Sequence, residues 1–422
     1  MKFDTQALHV GQNPADSKNC IPTPIYMTTA FSFDDVKYAA DLFDLKVAGD
    51  IYTRISNPTT QVLEERIAAL EKGVGALAVS SGQSASLLAV MNIAKAGDEI
   101  VAAAQLYGGT VNLLACTLEK FGVKTTFIKD ENPESYEKAI TEKTRAIFVE
   151  CLGNPKVNVA DIEAIAKVAH KHNIPLIVDN TVPSPYLLQP IDFGADIIVH
   201  SITKYINGHG NSMGGIIVDC GTFDWEKSGK FPELVEPDES YHGISYTKSF
   251  GNQAFIVKAR VQLLRDLGTC ISPMNAYLTL LGIETLHIRM QRMSESALKV
   301  AKFLQNHPKV SWVSYPKLEG TEYYKLGQKY LPKGGSSLIG FRVKGGREGG
   351  TKFVENLKLL IHATNLGDSR SIITYPALTT HRQLTDEQLE ACGVTNDFMR
   401  LSVGLEDVED IIKDIENGLA AI

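Results

Sequence analysis

At 422 residues, 44% hydrophobic and 22% charged, the chain has the composition of an ordinary globular protein and exceeds the size that one hydrophobic core usually supports, so two domains are expected. A net charge of −7, with Lys and Arg scattered rather than blocked, excludes a nucleic-acid footprint and means that any anionic ligand must be caught locally. No apolar stretch is long enough to span a bilayer and residues 1–6 lack the charged-then-apolar run of a signal peptide, so a cytoplasmic location without membrane contact is expected.

In chain order, Asn57-Pro58 supplies an N-cap and a first-turn proline for a helix carrying Val62, Ile67 and Leu70, which Gly73-Val74-Gly75 ends. A strand at 76–79 follows, then a Ser80-Ser81-Gly82-Gln83 turn that opens a helix. Further strands are predicted at 99–103, 124–128, 146–150, 176–178, 197–200 and 215–218, with amphipathic helices such as 161–172 between most of them. Nearly continuous apolar runs of this kind are what strands covered on both faces require, so the fold class is α/β with a mostly parallel central sheet. The stretch 221–251, with Trp225, Pro232 and Pro237, reads as a long irregular loop. From Ala276 a long helical pattern places Leu286, Met290, Met293, Ala297, Val300 and Leu304 in one packing stripe. Strands at 310–313 and 338–343 and helices at 350–360 and 407–419 then predict a smaller C-terminal α+β domain. The six cysteines, Cys20, Cys116, Cys151, Cys220, Cys270 and Cys392, form no Cys-x-x-Cys pair and are expected to be reduced, buried thiols, with no metal site.

The residues that suggest chemistry sit at strand ends. Asp179 follows the apolar run 176–178, and Ser201-Ile202-Thr203-Lys204 follows 197–200, at the carboxyl edge where open α/β sheets bind ligands. A lysine after a strand is, by itself, usually a solvated surface residue, and a Ser/Gly turn before a helix is usually a cap. Together, a lysine able to form a Schiff base, a carboxylate able to hold the proton of a pyridine nitrogen, and hydroxyls beside a helix N-terminus suited to a phosphate make up a pyridoxal 5'-phosphate site. A nucleotide-binding dehydrogenase, which the α/β pattern alone permits, is disfavoured because the opening strands carry no G-x-G-x-x-G turn.

Motifs spread along the whole chain carry a resemblance: Tyr52-Thr53-Arg54-Ile55-Ser56-Asn57-Pro58-Thr59, Ser81-Gly82, Leu106-Tyr107-Gly108-Gly109, Val178-Asp179-Asn180-Thr181, Ser201-Ile202-Thr203-Lys204-Tyr205 and Arg400-Leu401-Ser402-Val403-Gly404. The chain resembles the Cys/Met-metabolism family of pyridoxal-phosphate enzymes, which implies the aspartate-aminotransferase-like fold type I. The resemblance further implies a division into an N-terminal arm over 1–60 that reaches a neighbouring subunit, a large cofactor-binding domain over 61–255 and a C-terminal domain over 256–422. It implies Lys204 as Schiff-base lysine and proton shuttle, Asp179 as partner of the pyridine nitrogen, and Tyr107 as the ring stacked on the cofactor. Gly82 and Gln83 amides and the Ser201 and Thr203 hydroxyls are implied at the phosphate, joined there by Tyr52 and Arg54 of the neighbouring subunit. Asn154, Asn365 and Arg400 are implied at the substrate carboxylate, Arg400 by a bidentate pairing suited to a planar guanidinium.

Within the family the implied partners are a small amino-acid substrate and sulfide or a thiol, and the implied assembly is a homotetramer of dimers with shared sites. The segment 219–250, Asn365-Leu366-Gly367-Asp368 and His381 are similar to the O-acetylhomoserine sulfhydrylase branch, which implies replacement of the γ-substituent of a homoserine ester. Gly109 stands where methionine γ-lyases carry a cysteine. The γ-lyase, cystathionine-forming and O-succinyl-ester reactions are the alternatives, and Tyr375-Pro376 and Ser369-Arg370-Ser371 depart from the usual family pattern.

Overall fold

A computed structural model describes residues 1–380, 382 and 394–422; His381 and Cys392 lie outside the described residues. The large sheet is built from β1 (Gly75–Val79), β2 (Glu99–Ala103), β3 (Lys124–Ile128), β4 (Thr144–Glu150), β5 (Leu176–Asp179), β6 (Ile197–His200) and β7 (Gly215–Asp219), in the spatial order β1-β7-β6-β5-β4-β2-β3. The five strands from β6 to β3 run parallel, whereas β7 is antiparallel to both β1 and β6. A mostly parallel sheet was the expectation and is what forms. After β3 the chain returns to the other side of β2 to lay down β4, so the strand order reverses between β2 and β4, and there the carboxyl ends open a crevice.

The helices form where local signals ask for them. In α1 (Pro58–Leu70) the Asn57 side chain accepts the Thr59 amide and Pro58 occupies the first turn. Helix α2 (Gly82–Met91) starts from Ser81, whose hydroxyl accepts the Ser84 amide at 3.1 Å. Helix α3 (Ile162–Lys171) buries Ile162, Ile165, Ala166 and Ala169, the i, i+3, i+4, i+7 stripe of a surface helix. The long apolar pattern resolves into two helices, α4 (Pro273–Glu284) and α5 (Leu286–Asn306), broken at Thr285.

The smaller sheet contains β8 (Val310–Ser314), β9 (Leu338–Val343), β10 (Ile361–His362), β11 (Ile372–Thr374) and β12 (Phe398–Ser402), ordered β10-β11-β12-β9-β8. It is covered by α6 (Gly346–Glu355) and α7 (Val408–Ala420). Two buried apolar clusters result. The first runs through the large sheet and α4 to Leu286, Met290 and Met293; the second begins at Ala297, Val300 and Leu304 on the same helix. The α5 stripe is therefore packing, as expected, and it belongs to both cores.

Three expectations need correction. The stretch 221–251 is not one irregular loop: it folds into short helical turns at Trp225–Ser228, Pro232–Val235 and Tyr246–Phe250. Trp225, Phe231, Leu234 and Tyr246 are buried, and the Trp225 ring stacks on Phe255 with centroids 5.6 Å apart. The predicted helix at 350–360 lies at Gly346–Glu355 instead, with Gly349 and Gly350 inside it. A Cβ on Gly349 would meet the Lys344 carbonyl at 2.2 Å, so the helix is packed too closely there for any side chain. Finally, Cys151 and Cys220 are buried but Cys20 and Cys116 are exposed.

Candidate active site

Asp179 is the last residue of β5, at the carboxyl edge of the large sheet and half-buried. Its Oδ1 accepts the Thr181 amide at 2.9 Å, and among the described residues no lysine or arginine lies within ion-pair reach of it. Burial pushes its carboxyl above the ordinary range, against the pull of the Thr181 hydrogen bonds and the His200 charge. A half-buried carboxylate with no lysine or arginine partner has a high affinity for a protonated nitrogen, which is what a pyridinium ring offers.

Lys204 lies four residues beyond β6, in a turn held by a residue that sequence reasoning passed over. Arg289, on α5 and almost fully buried, donates to the carbonyls of Tyr205 at 2.7 Å, Ile206 at 3.3 Å and Gly282 at 2.7 Å. The only signal was a charged residue falling within the apolar stripe of a helix. Lys204 Nζ donates to Asn365 Oδ1 at 2.7 Å. Burial first, and the Arg400 charge second, bring its amine down to about 8, so a useful fraction is uncharged near neutrality.

Arg400, in the middle of β12, is 5% exposed and has no carboxylate partner among the described residues, which leaves its buried charge unneutralised. Its Nη1 donates to Asn154 Oδ1 at 2.9 Å, and its Nη2 to the Asn365 carbonyl at 2.8 Å and Thr374 Oγ1 at 2.7 Å. Its Nε is buried with no hydrogen-bond partner. Burial pushes the guanidinium down to about 10. Lys204, Asn365, Arg400 and Asn154, drawn from positions 154 to 400, thus form one hydrogen-bonded chain. Thr374 was not anticipated; its register pairing with Arg400 across β11 and β12 explains its place.

Beside this chain lies the start of α2. A Cβ on Gly82 would come within 2.6 Å of the Ser201 Cβ, so the helix N-terminus and the Ser201 turn approach as only glycine permits. The same closeness recurs at Gly215, where a Cβ would meet the Ser81 carbonyl at 2.0 Å. The Ser201 hydroxyl makes no hydrogen bond among the described residues, whereas Thr203 departs from expectation: its Oγ1 donates to the Gly214 carbonyl and accepts the Gly214 amide, both at 3.1 Å. The Thr203 hydroxyl proton is thus occupied by backbone, whereas that of Ser201 is not. Gln83 keeps its buried Oε1 unpartnered, and Gly109 makes room for its side chain: a Cβ there would lie 2.4 Å from Gln83 Nε2 and 2.6 Å from the Tyr107 ring.

The Tyr107 ring is half-exposed to the crevice, free to cover a flat ligand, while its amide donates to Glu150 Oε2 at 2.8 Å. Glu150 was not singled out, although an acid closing an apolar strand was the signal that marked Asp179. Tyr52 and Arg54 are the two expected residues that the chain does not bring to its own Lys204. The Arg54 guanidinium lies over the Tyr52 ring, 5.4 Å from its centroid, and donates to the Arg265 carbonyl. An unpaired floor carboxylate, a partly neutral lysine, an open helix N-terminus and an exposed aromatic lid together fit pyridoxal 5'-phosphate.

Comparisons with known proteins agree with this fit. A family model described as Cys/Met metabolism PLP-dependent enzyme matches residues 4–420. The chain is 51% identical over 430 residues to an O-acetyl-L-homoserine sulfhydrylase of Leptospira meyeri, covering 100% of this chain and 97% of the relative. It is 46% identical over 434 residues to a homocysteine/cysteine synthase of Saccharomyces cerevisiae, covering 100% and 98%. A crystal structure from Campylobacter jejuni, described as an O-acetylhomoserine (thiol)-lyase and containing N'-pyridoxyl-lysine-5'-monophosphate, matches with a TM-score of 0.94 and 39% identity over 100% of both chains.

Proposed function

The chain belongs to the Cys/Met metabolism PLP-dependent enzymes, and on that premise we propose that it replaces the acetoxy group of O-acetyl-L-homoserine by sulfide or methanethiol. The products are acetate with homocysteine or methionine. The observation that carries this reading is the Lys204–Asn365–Arg400–Asn154 chain, which sets a carboxylate receptor beside a lysine of lowered basicity.

Pyridoxal 5'-phosphate, when bound, supplies an electron sink that makes protons on the substrate's α-carbon labile. The protein's residues do the rest. Arg400 pairs with the α-carboxylate, steadied by Asn154 and Thr374, and fixes which proton faces Lys204. Lys204 Nζ, poised near 8, takes that proton and can return it. Asp179 holds the proton on the pyridine nitrogen, Tyr107 covers the ring, and the Gly82 and Gln83 amides with the Ser201 hydroxyl hold the phosphate.

In the same reading the chain works as a homotetramer of dimers, with residues 1–60 as the arm that carries Tyr52 and Arg54 to a neighbour's phosphate. Ile21, Met27, Val36 and Phe43 in that arm are exposed apolar side chains, which supports burial against another copy. No helix among the described residues is long and apolar enough to cross a membrane.

Product analysis tests the reaction. Purified protein incubated with O-acetylhomoserine and sulfide should yield homocysteine and acetate in equal amounts. A product mixture dominated by 2-oxobutyrate and ammonia would refute replacement and point to γ-elimination.

A further inference from the structure

One buried carboxyl at the crevice has no part in the reading above. Glu150 closes β4, is 6% exposed, and is the register partner of Asp179 on β5. Parallel strands lie about 4.8 Å apart and register partners face the same side, so two carboxyls stand next to each other under the crevice. Among the described residues neither is within ion-pair reach of a lysine or arginine. The groups facing Glu150 are Asp179 from β5 and the Tyr107 amide from the segment after β2, whereas the adjacent Cys151 turns its thiol to Asn180 Oδ1.

Two carboxyls on adjacent register positions, Glu150 buried and Asp179 half-buried, with no lysine or arginine to pair either, resist ionising together. Their surroundings decide which keeps the proton. Asp179 accepts hydrogen bonds from Thr181 and feels the His200 charge, both favouring its ionised form. Glu150 receives the single Tyr107 amide; burial first and the Asp179 charge second push its carboxyl well above the ordinary range. The Glu150 contact also lies at the β2/β4 reversal, so it joins the two strand ends that frame the crevice.

We propose that Glu150 is a positioning residue of the cofactor site: as the neutral acid it ties the Tyr107 backbone to the end of β4 and leaves Asp179 as the single negative charge for the pyridine nitrogen. This rests on the cofactor part of the proposed function and not on the reaction. It is therefore read first on the holoenzyme without substrate, through the pH midpoint of the bound cofactor's visible absorption.

Glu150→Gln preserves the acceptor and the absence of charge, so its midpoint should stay within about 0.3 pH unit of the wild type, and it should retain at least roughly a third of kcat. Asp179→Asn, the positive control, should move the midpoint down by about one unit or more, since it removes the charge that favours the protonated cofactor. Glu150→Asp withdraws the acceptor from Tyr107 and should lower kcat about tenfold, a loss that Gln at the same position largely restores. A Glu150→Gln midpoint that falls as far as that of Asp179→Asn shows that Glu150 carries charge and overturns the proposal. So does a Glu150→Asp enzyme with wild-type kcat. Because the midpoint needs no substrate, an error in the assigned reaction leaves it unaffected, and loss of fold would show as loss of the absorption itself.

Discussion

Arg400 is the residue whose chemistry is least replaceable. Its planar fork serves Asn154 on one side and the Asn365 carbonyl with Thr374 on the other, leaving the buried Nε without a partner. A lysine keeps the charge but cannot span those partners. Arg400→Lys should therefore lower kcat/KM for the amino-acid substrate roughly a hundredfold, about 3 kcal/mol, mainly through KM. An unchanged KM in steady-state assays would remove Arg400 from the carboxylate site. Lys204 gives a pH prediction. Its amine titrates at about 8 instead of the ordinary 10.5, lowered by burial and by Arg400, and only the neutral amine can attack the cofactor's aldehyde. Cofactor capture by the cofactor-free protein should accelerate about tenfold per pH unit up to 8 and level off above it, followed by stopped-flow absorbance. A rate that is flat between pH 6 and 8 would show that the amine does not titrate there.

Elements differ in how much of them was legible. The α1 start was readable because an N-cap and a first-turn proline act within four residues, and β5 and β6 were readable because strands buried on both faces must be apolar throughout. The short helices of 221–251 were not: each has four or five residues, too few for a periodic signal, and each is held by Trp225, Phe231 and Tyr246 packing on distant partners. At the site, Lys204, Asp179 and Arg400 each stood at a recognisable motif, while Glu150, Thr374 and Arg289 acquire roles only through strand register or a crossing helix. The α2 N-terminus combines both kinds of information, since the Ser81 cap is local and the demand for Gly82 comes from Ser201. Gly82→Ala should drive the Ser201 turn away from the helix start. Cofactor affinity should drop at least about tenfold in fluorescence titration, with far-UV circular dichroism unchanged. Wild-type affinity in this variant would place the phosphate elsewhere.

On the scale of the whole molecule, the two cores meet through α5 and through the hydrogen-bonded chain from Lys204 and Asn154 of the large sheet's crevice to Asn365 and Arg400 of the smaller sheet. One chain thus assembles the lysine, the floor carboxylate and the carboxylate receptor, but Tyr52 and Arg54 make their contacts elsewhere, on each other and on the Arg265 carbonyl. If these two complete the phosphate site of a neighbouring copy, each site draws on two chains, and defects in different chains can be segregated. Lys204→Ala and Arg54→Ala enzymes should each be nearly inactive. In a mixed dimer, one site combines the intact Lys204 of one chain with the intact Arg54 of the other, and the second site carries both defects. Random exchange of equal amounts makes half the dimers mixed, with one working site in two, so about a quarter of wild-type activity should return after co-refolding. A mixture no more active than its components would show that Arg54 serves the site of its own chain.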